Sequence, residues 1–174
     1  DRINSSRGAV INNDALKNRL LNNKNIYTAL DVWENEPKID SDLLRLVDIG
    51  TAHIAGYTYE GKVNGTEMIY KSLCDFLNIK GSWKPELKKV SKPSLSKIIK
   101  ETKLTYLQKT FKECYNIARD SNLLKSYNTN LPNHFDKLRK DYNLRRELSN
   151  YSIDYNLFSQ QIKNFLTALR IKEE

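Results

Sequence analysis

His53 is one of only two histidines in 174 residues and stands in TAHIAG, among small residues that suit a tight backbone. An acidic turn lies upstream, with Asp31, Glu34 and Glu36 in LDVWENEP, and an arginine precedes a glycine at Arg7-Gly8. An imidazole held by a carboxylate transfers protons in both directions near neutral pH, where an unperturbed ring titrates at about 6.5. A guanidinium offers a planar fork to a carboxylate and stabilises a carbonyl oxygen that is gaining charge. Singly, each residue has a plainer reading: a satisfied loop histidine, a solvated turn, a surface arginine. The chemistry exists only if the three segments converge.

The elements around them supply a way to converge. Ile3-Asn4 and Gly8 to Ile11 flank a glycine turn, as a strand running into a loop does. Residues 12–23 carry Ala15, Leu16, Leu20 and Leu21 at helical spacing, with Asn13 or Asp14 as cap. IYTALDV (26–32) is a short apolar run of buried-strand type that ends at Asp31. Strand, helix and strand at this spacing predict part of a parallel α/β sheet. Pro37 closes the acidic turn, residues 41–47 form a helix capped by Asp40 or Ser41, and residues 47–50 lead into the histidine loop. A long helix begins at Thr58, with Met68, Ile69, Leu73, Phe76 and Leu77 on one face. Lys80 to Pro85 breaks it and reads as a linker. Farther on, the pattern predicts a strand over 87–90, helices over 105–124 and 134–148, a strand over 151–155 and a helix over 157–171.

Composition allows a real core, with 39% hydrophobic residues and ten tyrosines. No apolar run reaches the roughly 18 to 20 residues of a membrane span, and no signal-like segment appears, so we expect a cytoplasmic protein with no membrane partner. Cys74 and Cys114 read as buried reduced thiols, and no Cys/His cluster has metal-ligand spacing, so no metal is expected. The net charge of +8 is uneven. Residues 1–78 hold 9 basic and 11 acidic side chains, whereas residues 79–174 hold 20 and 10, which predicts a boundary near Lys80. The basic half reads as a lysine-rich solvated surface, a nucleic-acid patch or a dimerisation domain. Its tyrosines fall mostly at helix-core spacing, which argues against nucleic acid. The chain opens on Asp1 with a strand already in progress, so we expect the C-terminal part of a longer protein.

NSSRGAVIN, LDVWENEP and TAHIAG together resemble the C-terminal half of the NAD-dependent D-2-hydroxyacid dehydrogenases. The resemblance implies a catalytic set of Arg7, Glu36 and His53, with NAD as cofactor. Arg7 would clamp the substrate carboxylate, His53 would take the hydroxyl proton and Glu36 would orient and stabilise the imidazolium. It also implies that Asp31, at a strand's carboxyl end, binds the cofactor ribose and favours NAD over NADP. Ser5, Ser6, Gly8 and Gly56 would lie beside the nicotinamide side of the cofactor, and Tyr57 would donate to the phosphate end of a substrate. Lys62 reads as a surface lysine. Ala52 departs from the family, where proline commonly precedes the histidine. The glycine-rich phosphate loop of the dinucleotide fold is not among these residues.

DIGTAHIAGYTYEGKVNGT and FDKLRKDYNLRRE narrow the resemblance to members that carry an extra C-terminal domain. Those members oxidise a phosphorylated four-carbon sugar acid in vitamin B6 biosynthesis and pair as homodimers through that domain. The expected fold is therefore α/β: the C-terminal part of a Rossmann-type NAD-binding domain over residues 1–79, then a small α+β dimerisation domain over residues 80–174. The alternatives are a phosphoglycerate-type dehydrogenase and a non-catalytic basic dimerisation or nucleic-acid-binding module.

Overall fold

A computed structural model describes residues 1–22, 25–86, 106–143 and 145–174. Its packing forms two compact units, one of Asp1–Gly56 with Asn116–Asn143 and the other of Tyr57–Tyr115 with Leu144–Glu174. The packing therefore follows a division different from the charge step near Lys80.

The first unit is built on three parallel strands in the order β1 (Arg2–Asn4), β2 (Thr28–Leu30) and β3 (Ile49–Gly50). Asn4 lies opposite Leu30, and Leu30 opposite Gly50, so the strands end together and their following loops share one edge. Helix α1 (Asn13–Asn22) joins β1 to β2, and α2 (Ser41–Leu46) joins β2 to β3. Asn12, one residue before the caps expected from sequence, starts α1 by accepting from the Ala15 N–H. Asp40 caps α2 through the Asp42 and Leu43 N–H groups, and it also takes the Lys17 ammonium from α1. That hydrogen bond to Asp40 is the chief cause that raises Lys17 above the usual lysine range, against the opposing effect of burial.

Helices α5 (Ile117–Lys125) and α6 (Leu131–Lys140) complete this unit, and both differ from the expected spans. The single helix predicted over 105–124 is two helices, because the Asn116 side chain accepts from the Arg119 N–H and starts a new one. Within the unit, Ser121 Oγ accepts from the Gly50 N–H at 3.1 Å, and the Lys125 ammonium donates to the Val47 carbonyl at 2.6 Å. These bonds satisfy backbone groups at β3 that a two-residue strand leaves open. Burial holds Lys125 below the usual lysine range, with Asp48 opposing. The helix expected over 134–148 runs from Leu131, after an Asn130 cap with Pro132 in the first turn, and stops at Lys140. Leu16, Leu30, Trp33, Leu43, Leu44, Leu124 and Phe135 form the core between sheet and helices.

In the second unit, α3 (Tyr59–Phe76) is capped by Thr58, whose hydroxyl accepts from the Gly61 N–H at 3.0 Å. Its apolar face at Met68, Ile69, Leu73 and Phe76 is exposed, and Cys74 is the buried position. The segment expected to be a linker folds back on this helix: Tyr70 Oη accepts from the Ser82 and Trp83 N–H groups, and the Tyr70 and Trp83 rings meet edge to face. Helix α4 (Tyr106–Cys114), strand β4 (Ser152–Ile153), helix α7 (Gln160–Ala168) and strand β5 (Lys172–Glu173) follow, with β4 and β5 parallel. Their core gathers Cys114, Ile153, Tyr155, Leu166 and Ile171. Burial, with Glu113 adding to it, pushes the Cys114 thiol up to about 12, so the sulfur stays protonated and unreactive. Both cysteines are buried and free.

Arg146 and Glu147 lie past α6 in an extended stretch bound to the start of α3. The Arg146 guanidinium donates to Glu60, the Glu147 N–H donates to the same carboxylate at 2.9 Å, and Arg145 lies 4.0 Å over the Tyr115 ring. The helix expected to continue to 148 gives way to these contacts. The strand expected over 87–90 lies outside the described residues. No described helix is long and apolar enough to cross a membrane, and the described residues hold no cluster with metal-ligand geometry.

Candidate active site

Three loops leave the carboxyl ends of β1, β2 and β3, the edge where open α/β sheets bind ligands. Loop 5–8 carries Arg7, loop 31–37 carries Asp31 and Glu36, and loop 51–56 carries His53.

The third loop brings His53 to Glu36: Nδ1 of the ring lies 2.7 Å from Glu36 Oε2. The other oxygen of Glu36 accepts from the Trp33 N–H at 2.8 Å, so the carboxylate is fixed at both ends. A carboxylate on Nδ1 gives the neutral ring its proton there and leaves Nε2 as the acceptor. Nε2 has no hydrogen bond among the described residues. Both side chains are partly buried, at 30% exposed for His53 and 19% for Glu36. This is the geometry of a base that takes a proton on one nitrogen and has the resulting charge stabilised at the other.

His53 takes a left-handed backbone, with φ of 54°. Histidine tolerates this region better than most residues, but the conformation still needs support from its surroundings. Asp31 supplies much of that support. Its carbonyl accepts from the His53 N–H at 2.7 Å. Its carboxylate accepts from Thr51 Oγ1 at 2.6 Å, from the Ile54 N–H at 2.8 Å and from the Ala55 N–H at 2.9 Å. Sequence reasoning gave Asp31 to the cofactor alone. The structure adds a second task, holding the histidine loop, and fills three of the roughly four acceptor positions of the carboxylate.

Arg7 stands apart from this network. Its guanidinium is exposed and donates to the Ser6 carbonyl at 2.7 Å. The buried Asn4 shapes its loop, donating to the Arg7 carbonyl at 3.0 Å and accepting from the Ser6 N–H. Gly8 sets the approach of the first loop to the second, since a Cβ there would lie 2.0 Å from the Trp33 carbonyl oxygen. Ser5 and Ser6 are exposed at the same edge. A Cβ at Gly56 would meet nothing within 4 Å, so space does not demand glycine there. Tyr57 opens the second unit, where the ammonium of the exposed Lys62 lies 4.3 Å over its ring.

Sequence reasoning missed Trp33, Thr51, Asn4 and Asn13. Asn13 exchanges hydrogen bonds with Glu34, its N–H donating to the carboxylate and its side-chain oxygen accepting from the Glu34 N–H. The signal was position: each lies within a few residues of a motif residue.

Residues 2–55 match the family model described as "D-isomer specific 2-hydroxyacid dehydrogenase, NAD binding domain". Residues 87–169 match a domain of unknown function, DUF3410. The chain is similar to curated proteins named erythronate-4-phosphate dehydrogenase: 40% identical to that of Teredinibacter turnerae over 96% of the chain and 45% of the relative. It is 38% identical to that of Saccharophagus degradans, over 87% of the chain and 41% of the relative. With that of Proteus mirabilis it shares 41% identity over 87% of the chain and 40% of the relative. The chain thus spans less than half the length of these relatives. The three-stranded parallel sheet lies within the segment matched to the dehydrogenase NAD-binding domain, and so do the histidine, its carboxylate and the arginine.

Proposed function

We propose that the gene product carrying these residues oxidises 4-phospho-D-erythronate at its 2-hydroxyl to 3-hydroxy-2-oxo-4-phosphooxybutanoate, with NAD as hydride acceptor, in pyridoxal phosphate biosynthesis. The His53–Glu36 pair at the carboxyl edge of a parallel sheet carries the reading, and the relatives' name supplies the substrate.

The donors and acceptors present fit such a cofactor. Ser5, Ser6 and Arg7 are exposed at the edge, and Asp31 retains about one acceptor position. One position suits a single donor; two ribose hydroxyls would compete with the bonds that hold the histidine loop. A nicotinamide cofactor held by Ser5, Ser6, Arg7 and Asp31 would supply the acceptor for the hydride of C2. His53 Nε2 takes the proton of the 2-hydroxyl, Glu36 stabilises the imidazolium through Nδ1–H, and the C2–O bond becomes a carbonyl. Arg7 binds the substrate carboxylate and stabilises the carbonyl oxygen as it forms. Tyr57 is assigned to the substrate's phosphate end. Residues 80–174 are assigned to a homodimer interface, and the protein to the cytoplasm.

The test is NADH formation by the purified gene product with 4-phospho-D-erythronate, with 3-phospho-D-glycerate as the competing substrate. Turnover of the first in clear excess supports the assignment. Preference for the second moves the enzyme to the phosphoglycerate type, and turnover of neither refutes the dehydrogenase reading.

A further inference from the structure

Trp33 meets all three segments that carry the proposed catalytic groups. Its backbone N–H holds Glu36 Oε1 at 2.8 Å, its indole N–H donates to the Thr51 carbonyl at 2.9 Å, and its own carbonyl sits against Gly8. We infer that Trp33 is a positioning residue for the His53–Glu36 pair, an inference that rests on the dehydrogenase reading of that pair.

A core aromatic that merely fills space is the plainer account, and part of it is true. Trp33 is 2% exposed, and its ring packs where a Cβ on Gly50 would come within 3.0 Å of it. Packing alone does not need the indole nitrogen, since a phenyl ring would occupy much of the same space. The nitrogen is spent on a carbonyl two residues before His53, in a residue that is itself buried. Without that donor the carbonyl of the buried Thr51 loses a partner, which is costly for a buried acceptor.

The consequence reaches the ring of His53 by a short path. Thr51 enters the loop, and its N–H is tied to the Leu30 carbonyl and its hydroxyl to Asp31. Those bonds and the Asp31 bonds to residues 53–55 hold the loop from the β2 side. The indole bond holds it from the acidic loop, the same loop that presents Glu36. Trp33 thereby ties the base to the loop of its carboxylate partner at two points: its side chain fixes where the histidine loop begins, and its N–H fixes which oxygen of Glu36 is left for Nδ1. A proton-transfer pair is sensitive to this, because a misplacement of about 1 Å costs on the order of 100-fold in rate.

The test replaces the indole N–H while keeping its shape. In the gene product carrying residues 1–174, 3-benzothienylalanine at position 33 puts sulfur where the N–H stands, and Trp33→Phe gives a second, encoded variant. We expect kcat to fall about 10- to 100-fold with KM for the hydroxy acid within about twofold. We also expect the hydrogen-bonded Nδ1–H proton of His53, identified by its absence in His53→Gln, to be lost or broadened in the proton NMR spectrum. The benzothienyl variant keeps the ring's volume, so it decides the matter even if Trp33→Phe does not fold. An unchanged kcat together with an unmoved Nδ1–H signal would overturn the positioning role. If the unmodified protein shows no NAD-dependent oxidation, the dehydrogenase reading falls, and the Nδ1–H signal alone still decides whether Trp33 positions the pair.

Discussion

The histidine loop and the arginine loop leave the same sheet edge on opposite sides of β2 and are built in opposite ways. Loop 51–56 is bonded at nearly every residue: Thr51 through its N–H, carbonyl and hydroxyl, then His53, Ile54 and Ala55 through their N–H groups. Loop 5–8 is shaped by one buried asparagine, and the arginine it presents is exposed. A proton acceptor has to be in place before reaction, since its value lies in fixed geometry. An anion clamp can be ordered by the anion, which supplies strong charge-assisted bonds on arrival at the expense of side-chain entropy. On the proposed roles, the difference teaches that the framework concentrates its hydrogen bonds on the histidine loop and leaves the arginine to be ordered by the substrate.

Removing the carboxylate that holds the histidine loop should have the largest effect. In Asp31→Ala, the buried Ile54 N–H and Thr51 hydroxyl and the part-buried Ala55 N–H lose their acceptor, at about 1–3 kcal/mol for each buried group left unsatisfied. Urea unfolding should show a loss of roughly 3 kcal/mol or more; a loss below about 1 kcal/mol would mean that the loop is held otherwise. Arg7→Ala should leave stability within about 0.5 kcal/mol, as for other exposed positions. It should raise KM for the hydroxy acid about 10- to 100-fold, the scale of a charge-assisted pair. If Arg7→Ala destabilised the fold as Asp31→Ala does, the contrast between the loops would disappear. Gly8→Ala sits between them: its Cβ would lie 2.0 Å from the Trp33 carbonyl, so the loops must part, at about 1–3 kcal/mol by thermal unfolding.

The smallest effect concerns a carboxylate doing a similar job in the other unit. Burial pushes Glu60 up, but the Glu147 N–H, its own backbone N–H and the Arg146 guanidinium outweigh it and hold the net below the usual carboxylate range. Because the folded value is depressed, the ionised form stabilises the fold fully above the unfolded value. That contribution is lost as pH falls through the folded one. Glu60→Gln should therefore flatten the acid limb of the stability profile, with the two proteins converging at low pH. Parallel profiles would show that Glu60 contributes no linkage.

The sheet unit was legible because its signals are local. The spacing of Leu16 and Leu20, the apolar run ending at Asp31 and the Asp40 cap each act within one element, and the observed elements follow them. Helices 106–114 and 117–125 were read as one because the apolar spacing runs across Asn116, while the break depends on that side chain turning to cap and on Ser121 and Leu124 burying in the first unit. Such choices belong to tertiary packing, which propensity does not register. At the candidate site, residue type and motif single out His53 and Glu36, and the structure brings the two side chains together. They do not single out Trp33, since an indole in an apolar stretch reads as core until its nitrogen is seen on the Thr51 carbonyl.

The most direct test of the central claim, that His53 held by Glu36 takes the hydroxyl proton, is the stopped-flow rate of NADH formation in His53→Gln. It should be measured in the gene product carrying residues 1–174, with 4-phospho-D-erythronate. The rate should fall about 10²- to 10⁴-fold, the usual contribution of a positioned acid–base group, while the Kd for NAD stays within about twofold. Hydride transfer at the rate of the unmodified protein would contradict the account.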